Sequence, residues 1–158
     1  MTTVFISGSR KISRLNQEIC RRLQNIVNQQ FTILVGDANG VDKAVQKYLS
    51  EIHYPNVIVF CSGHSHRHNL GNWNIKHVLV DPKLKGRDFY TQKDKEMAAQ
   101  ANYGLVIWDG KSPGSFNNVM ELLKRGKKIL VYVVPHQEFY TVANSDDVQK
   151  LLLDKCDC

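Results

Sequence analysis

Three short apolar runs in this chain each end in a glycine-bearing polar turn, and each turn leads into a helix-like stretch. Val4-Phe5-Ile6 gives way to Gly8-Ser9-Arg10, Ile33-Leu34-Val35 to Gly36-Asp37-Ala38-Asn39-Gly40, and Leu105-Val106-Ile107-Trp108 to Asp109-Gly110. Unbroken apolar runs suit strands buried on both faces, and such strands require helices to cover them. A turn without Cβ crowding lets backbone N–H groups approach a ligand, and the helix N-terminus beyond it adds partial positive charge. Glycine turns also serve ordinary strand-to-helix connections, so it is their recurrence that points to a phosphate-bearing ligand.

Periodicity fills in the rest of the pattern. Leu15, Ile19, Leu23 and Ile26 mark one amphipathic helix, and Val41, Ala44, Val45, Tyr48 and Ile52 mark a second. Val57 to Phe60 reads as a third strand, and His77 to Val80 as an optional extra one stopped by Asp81-Pro82. A helix near Gln92 to Ala101 precedes the Leu105–Trp108 strand. Another begins near Ser115 with Phe116, Val119, Met120 and Leu123 on one face, and Ile129 to Val134 is the last strand. The 158 residues, 42% of them hydrophobic, predict a single domain over 1–158 that buries a core without staples. The expected fold class is α/β, a Rossmann-like three-layer α/β/α domain with a mainly parallel sheet of five strands, or six with the extra one. A strand order of 3-2-1-4-5 would bring the three glycine turns together at the carboxyl edge, where such sheets bind ligands.

No apolar run approaches membrane-spanning length and the chain opens directly on a strand, so the expected compartment is cytoplasmic, with no membrane partner. The four cysteines (Cys20, Cys61, Cys156, Cys158) lack zinc-site pairing and read as reduced thiols. A formal charge of +6 fits a nucleic-acid partner, a small anionic ligand or simple solubility. Arg21-Arg22, Lys124-Arg125 and Lys127-Lys128 fall on or after helices, where cations are favoured anyway. Lys83, Lys85 and Arg87 cluster around Gly86 without interleaved aromatics, a pattern closer to a solvated loop than to a nucleic-acid groove.

Taken together, Gly8-Ser9-Arg10, Gly36-Asp37-Ala38-Asn39-Gly40-Val41-Asp42 and Trp108-Asp109-Gly110-Lys111-Ser112-Pro113-Gly114-Ser115 resemble the SLOG superfamily, named for DNA-processing protein A and the Lonely Guy phosphoribohydrolases. The likeness runs to about Val134, and Arg87-Asp88-x-Tyr90 followed by Lys93-Asp94 and Met97 supports it. The resemblance implies a Rossmannoid fold that binds a nucleotide or nucleotide-derived small molecule at these loops, without a further cofactor. Arg67, Asn69, Gly71 and Trp73 are similar to an R-x-N-x-G-x-W element of the small members. They would form a ligand flap, with the guanidinium for phosphate and Trp73 for stacking or packing.

Each element also has a plainer role. Gly36, Ala38 and Gly40 permit a tight turn, and Asp42 is a first-turn carboxylate that favours the helix dipole. Arg10 suits phosphate through its fork, or any surface carboxylate. Gly114-Ser115 resembles the Gly-Thr that closes the phosphate loop of the Lonely Guy enzymes, while Ser115 also serves as an N-cap.

In that enzyme pattern a glutamate follows the Thr by three positions; here Asn118 stands there, and Glu121 lies three residues further on. Cleaving an N-glycosidic bond calls for a carboxylate, and an amide cannot accept the proton. Asp94 offers a replacement from the opposite side, as in nucleoside deoxyribosyltransferases, or is a first-turn helix carboxylate.

His64, His66 and His68 alternate near Cys61, but no distant ligand completes a zinc set, so no metal site is expected. The function classes that remain are a nucleotide-binding or sensing module, favoured by Asn118, and an N-glycoside hydrolase or deoxyribosyltransferase acting on nucleoside monophosphates. DNA binding as in DNA-processing protein A is a third, weakened by that protein's larger chain. A homodimer is the expected assembly.

Overall fold

Along the central strands, alternate side chains go to opposite faces of one sheet. In the computed structural model, which describes residues 1–156, Val4 and Ile6 of β1 (Thr3–Gly8) pack on one face and Phe5 on the other. β2 (Thr32–Gly36) divides likewise, with Ile33 and Val35 opposite Leu34. The first face is covered by α1 (Gln17–Asn28) through Ile19, Leu23 and Ile26, and by α2 (Val41–Glu51) through Val41, Val45 and Leu49. Burying each such aliphatic side chain contributes about 1.5–3 kcal/mol.

The second face is covered by three helices. α3 (Gly86–Gln100) contributes Met97 and Ala98, α4 (Pro113–Lys124) Val119 and Leu122, and α5 (Ser145–Cys156) Val148 and Leu151. The remaining strands are β3 (Val57–Ser62), β4 (Asn74–Val78), β5 (Tyr103–Trp108), β6 (Lys128–Val133) and β7 (Glu138–Val142). The result is a three-layer α/β fold with a mostly parallel sheet in the order β4-β3-β2-β1-β5-β6-β7.

The five central strands follow the expected 3-2-1-4-5 order, but the sheet has seven strands, not five or six. The extra strand near His77 exists and lies at Asn74–Val78, three residues earlier than its apolar run suggested, because it is an exposed edge where burial selects few residues. β7 was not anticipated. After Val133 a single 3-10 turn, Val134–His136, and left-handed Gln137 (φ 51°) reverse the chain, and β7 returns antiparallel to β6. α5 then packs Val148 and Leu151 beneath it. α3 begins at Gly86, six residues before the expected start, since its first turns are largely exposed and lack an apolar stripe.

Local signals set the helix ends. The Asn16 side chain accepts the Ile19 N–H at 2.9 Å and caps α1, and Pro113 sits in the first turn of α4, where its missing N–H costs nothing. Cys20 and Cys61 are free thiols; the Cys156 side chain and Cys158 lie outside the described residues. Among the described residues no helix is long and apolar enough to cross a membrane.

Candidate functional site

Parallel strands place the turns after β1, β2 and β5 at one edge, and Ser9 ties them together. The Ser9 N–H donates to the Ile107 carbonyl at 3.0 Å, and the Ser9 carbonyl accepts the Val41 N–H at 3.2 Å. Its hydroxyl accepts the Asp109 N–H at 3.1 Å and lies 3.3 Å from the Ser115 hydroxyl. Ser9 and Ser115 are both buried, as a polar junction with satisfied partners permits.

This approach leaves no room for side chains at two glycines. A Cβ on Gly8 would lie 2.4 Å from the Ile107 carbonyl oxygen, and one on Gly40, whose φ is +81°, 2.4 Å from the Arg10 carbonyl oxygen. Gly40 thus brings the second turn directly against the first.

Beneath the second turn lies a cluster of charges. Asp42 is buried with its carboxylate accepting the Ala38 N–H at 3.1 Å, and Lys93 of α3 is buried with its Nζ 2.9 Å from Asp94 Oδ1. Gly36 makes the space for both, since a Cβ there would meet Asp42 Oδ2 at 2.4 Å and Lys93 Nζ at 2.9 Å. Burial pushes the Asp42 carboxyl up to about 6 against the attraction of Lys93. Burial disfavours charge on Lys93 as well, but Asp94, Asp42 and Asp37 together hold its ammonium above the ordinary lysine value.

Asp37, whose side chain is 2% exposed, accepts both the Arg67 backbone N–H at 2.8 Å and its guanidinium at 2.7 Å. Burial alone would raise its carboxyl; these bonds and the charges of Arg67 and Lys93 hold it below the ordinary range instead. The Arg67 guanidinium lies 4.0 Å from the Tyr90 ring centroid, and that of Arg10 lies 5.9 Å from the same ring. Arg10 is exposed and, among the described residues, has no carboxylate partner.

The third turn is held by Asp109. Its carboxylate accepts the Lys111 and Ser112 N–H groups at 2.9 and 2.7 Å and the Ser112 hydroxyl at 2.8 Å. Burial would raise this carboxyl too, but these bonds and that of the Ser9 hydroxyl keep it low. Gly110 adopts φ +81° within the turn, and the Trp108 indole N–H donates to the Ser112 carbonyl at 3.0 Å. Gly114 and Ser115 form the first turn of α4, where N–H groups have no partner inside the helix. Asn118, one turn further, is buried and donates to the Ser7 hydroxyl at 3.2 Å.

The structure therefore brings together Gly8, Ser9, Arg10, Gly36, Asp37, Ala38, Gly40, Val41, Asp42, Arg67, Tyr90, Asp94, Asp109, Ser115 and Asn118. Asn69 and Trp73 are not part of this gathering. Asn69 exchanges two hydrogen bonds with the Trp73 backbone, and the indole N–H donates to the Tyr54 carbonyl at 2.8 Å. A parallel crossover must return the chain to the amino edge before β4, so Trp73 takes the packing role there. Arg87 stays exposed in the first turn of α3. His68 Nε2 lies 2.8 Å from Asn39 Oδ1, and His77 Nδ1 lies 3.1 Å from Cys61 Sγ. Among the described residues no group of three or more His, Cys, Asp or Glu is arranged to hold a metal ion.

Two residues that shape the site were overlooked. Gln46, fully buried on α2, donates to the Gly36 and His68 carbonyls and accepts the Leu70 N–H, which pins the segment carrying Arg67. A glutamine beside Val45 and Leu49 on a buried helix face was the available signal. Lys93 belonged to the quoted motif without a role, although Met97, four residues on, marks the same buried face of α3.

The fold and this edge define a Rossmann-like three-layer α/β protein. No protein-family model matches the chain, and no curated protein does. Among solved structures it is similar to DNA processing protein A from Helicobacter pylori, in a structure reporting that protein's single-stranded DNA binding mode. The match has a TM-score of 0.62 at 18% identity and covers 82% of this chain and 64% of that one. The chain thus spans less than two thirds of the length of that structure.

Proposed function

We propose that the protein binds a nucleotide or a nucleotide-derived ribose phosphate at the carboxyl edge of the sheet, and serves as a binding or sensing module. The observation that carries this reading is the Ser9 junction, which joins three turns beside the first turn of α4 and an exposed Arg10 that has no carboxylate partner among the described residues. An anion there gains helix N–H donors and a guanidinium fork. The anion site lies between Arg10 and Gly114-Ser115, because the N–H groups of Ser9, Ala38 and Val41 already have partners.

Binding without turnover follows from Asn118, whose amide faces Ser7 where cleavage would need a carboxylate. The alternative, an N-glycosidase or deoxyribosyltransferase, draws support from Asp94, which is held by Lys93 and partly exposed at the same edge. Single-stranded DNA is the polymeric counterpart of the same ligand chemistry, and the likeness to DNA processing protein A supports including it as a probe.

Calorimetry with a panel of nucleotides and a short single-stranded oligonucleotide tests the reading. At least one mononucleotide binds, and Arg10→Ala weakens it more than about tenfold, the scale of one charge-assisted hydrogen bond. Unchanged affinity in Arg10→Ala overturns the placement. Affinity for the oligonucleotide alone, falling steeply with salt, replaces the small-ligand reading with a nucleic-acid one.

A further inference from the structure

Asn39 and Gly40 form the only Asn-Gly pair in the sequence, and they sit in the turn that presses against Arg10. Asn39 is exposed, and among the described residues the Gly40 N–H donates to no acceptor. His68 Nε2 lies 2.8 Å from Asn39 Oδ1; an amide oxygen only accepts, so the imidazole is the donor. We propose that Asn39 is a site of spontaneous deamidation promoted by His68, a covalent modification that adds a carboxylate to the turn.

The chemistry needs only water. The Gly40 backbone nitrogen gives its proton to solvent and attacks Asn39 Cγ, unhindered by any side chain on the glycine. As the N–Cγ bond forms, negative charge develops on Oδ1, where the His68 N–H is already aimed. The Cγ–Nδ2 bond then breaks, the leaving nitrogen takes a proton from solvent and departs as ammonia, and a cyclic imide remains. Water opens the imide at either carbonyl to give aspartate or isoaspartate.

Asp109-Gly110 is an internal contrast, since it could form the same imide by loss of water. Its carboxylate is ionised and fixed by two N–H groups and the Ser112 hydroxyl, so Cγ is a poor electrophile that cannot turn toward Gly110. Of the two Asx-Gly turns at this edge, only Asn39 is therefore open to the reaction.

The consequence for ligand binding rests on the function proposed above. A carboxylate at position 39 joins Asp37 and Asp42 beside the anion site, where Arg67 already balances Asp37. At separations of several ångströms in a partly solvated edge, one added like charge weakens anion binding roughly tenfold.

The folded protein is held for days in mildly alkaline buffer, beside a sample unfolded in urea, and the peptide carrying residue 39 is followed by mass spectrometry and by an isoaspartate methyl-acceptor assay. Acid and isoaspartate accumulate at position 39 in the folded protein, while Asp109 does not isomerise. His68→Ala slows the reaction about tenfold, less than the loss of an enclosed oxyanion donor because water partly substitutes, and Asn39→Gln abolishes it. An Asn39 that survives in the folded protein while the unfolded chain deamidates overturns the proposal, and so does a wild-type rate in His68→Ala. Nucleotide affinity is measured separately on Asn39→Asp. If that variant binds as wild type while deamidation proceeds, the ligand placement fails and the modification stands.

Discussion

Replacing Asp42 by asparagine probes the charged cluster under the second turn with little change of shape. The asparagine side-chain oxygen still accepts the Ala38 N–H, and Asp94 remains to pair with Lys93. What changes is the cost of a buried carboxylate. Asp42 moves from an ordinary 3.8 to about 6 on folding, so the folded state holds its proton more tightly than the unfolded chain does. Its contribution to stability is complete below about pH 4 and is lost as pH rises through about 6. A displacement of about two pH units at about 1.36 kcal/mol each amounts to roughly 3 kcal/mol. The stability of Asp42→Asn relative to wild type therefore increases by roughly 2–3 kcal/mol between about pH 4 and about pH 7. In a chain of this length that corresponds to roughly 5–10 °C in relative Tm. Urea unfolding of both proteins at several pH values and constant ionic strength measures it. A stability difference that stays constant across that window would refute the burial argument.

Arg67→Ala leaves Asp37 buried without its cation and should cost about 3 kcal/mol near neutral pH, the low end for a broken buried pair because Arg67 is 28% exposed. Because the folded Asp37 carboxyl lies below its ordinary value, this stabilisation is present above about pH 4 and lost as pH falls through the folded value, so wild type and variant converge in acid unfolding. Chromatography of a nucleoside monophosphate panel incubated with wild type should show no free base. Base release by wild type that vanishes in Asp94→Asn would install the hydrolase, whereas release gained in Asn118→Glu alone would show a scaffold lacking one carboxylate.

The central architecture was legible because buried parallel strands write their own pattern. Ile33-Leu34-Val35 and Leu105 to Trp108 are apolar on both faces, and their glycine exits mark the edge where turns gather. The edges were less legible for the same reason. β4 and β7 are half exposed, so Asn74–Val78 and Glu138–Val142 carry only a weak alternation; the apolar run from His77 to Val80 pointed to the first but displaced it, and none announced the second. Within the site, glycines indicated where the backbone comes close but not what fills the space. Gly36 was read as exposing N–H groups, and in the fold it admits Lys93 and Asp42 instead. Trp73 illustrates a topological limit, since its distance in sequence from Arg67 is short but the crossover carries it to the opposite edge of the sheet.

Backbone-amide NMR of the labelled protein titrated with the tightest nucleotide from the panel tests the central claim most directly. The account predicts shifts concentrated at Ser9, Arg10, Asn39, Gly40, Gly114 and Ser115, with a titration midpoint that moves up more than about tenfold in Arg10→Ala. A separate cavity at the amino edge, lined by Ser50, His53, Tyr54, Asn72 and Trp73, supplies the counter-outcome. Shifts confined to those residues, or a response at Ser9 and Ser115 whose midpoint is unchanged in Arg10→Ala, would contradict it.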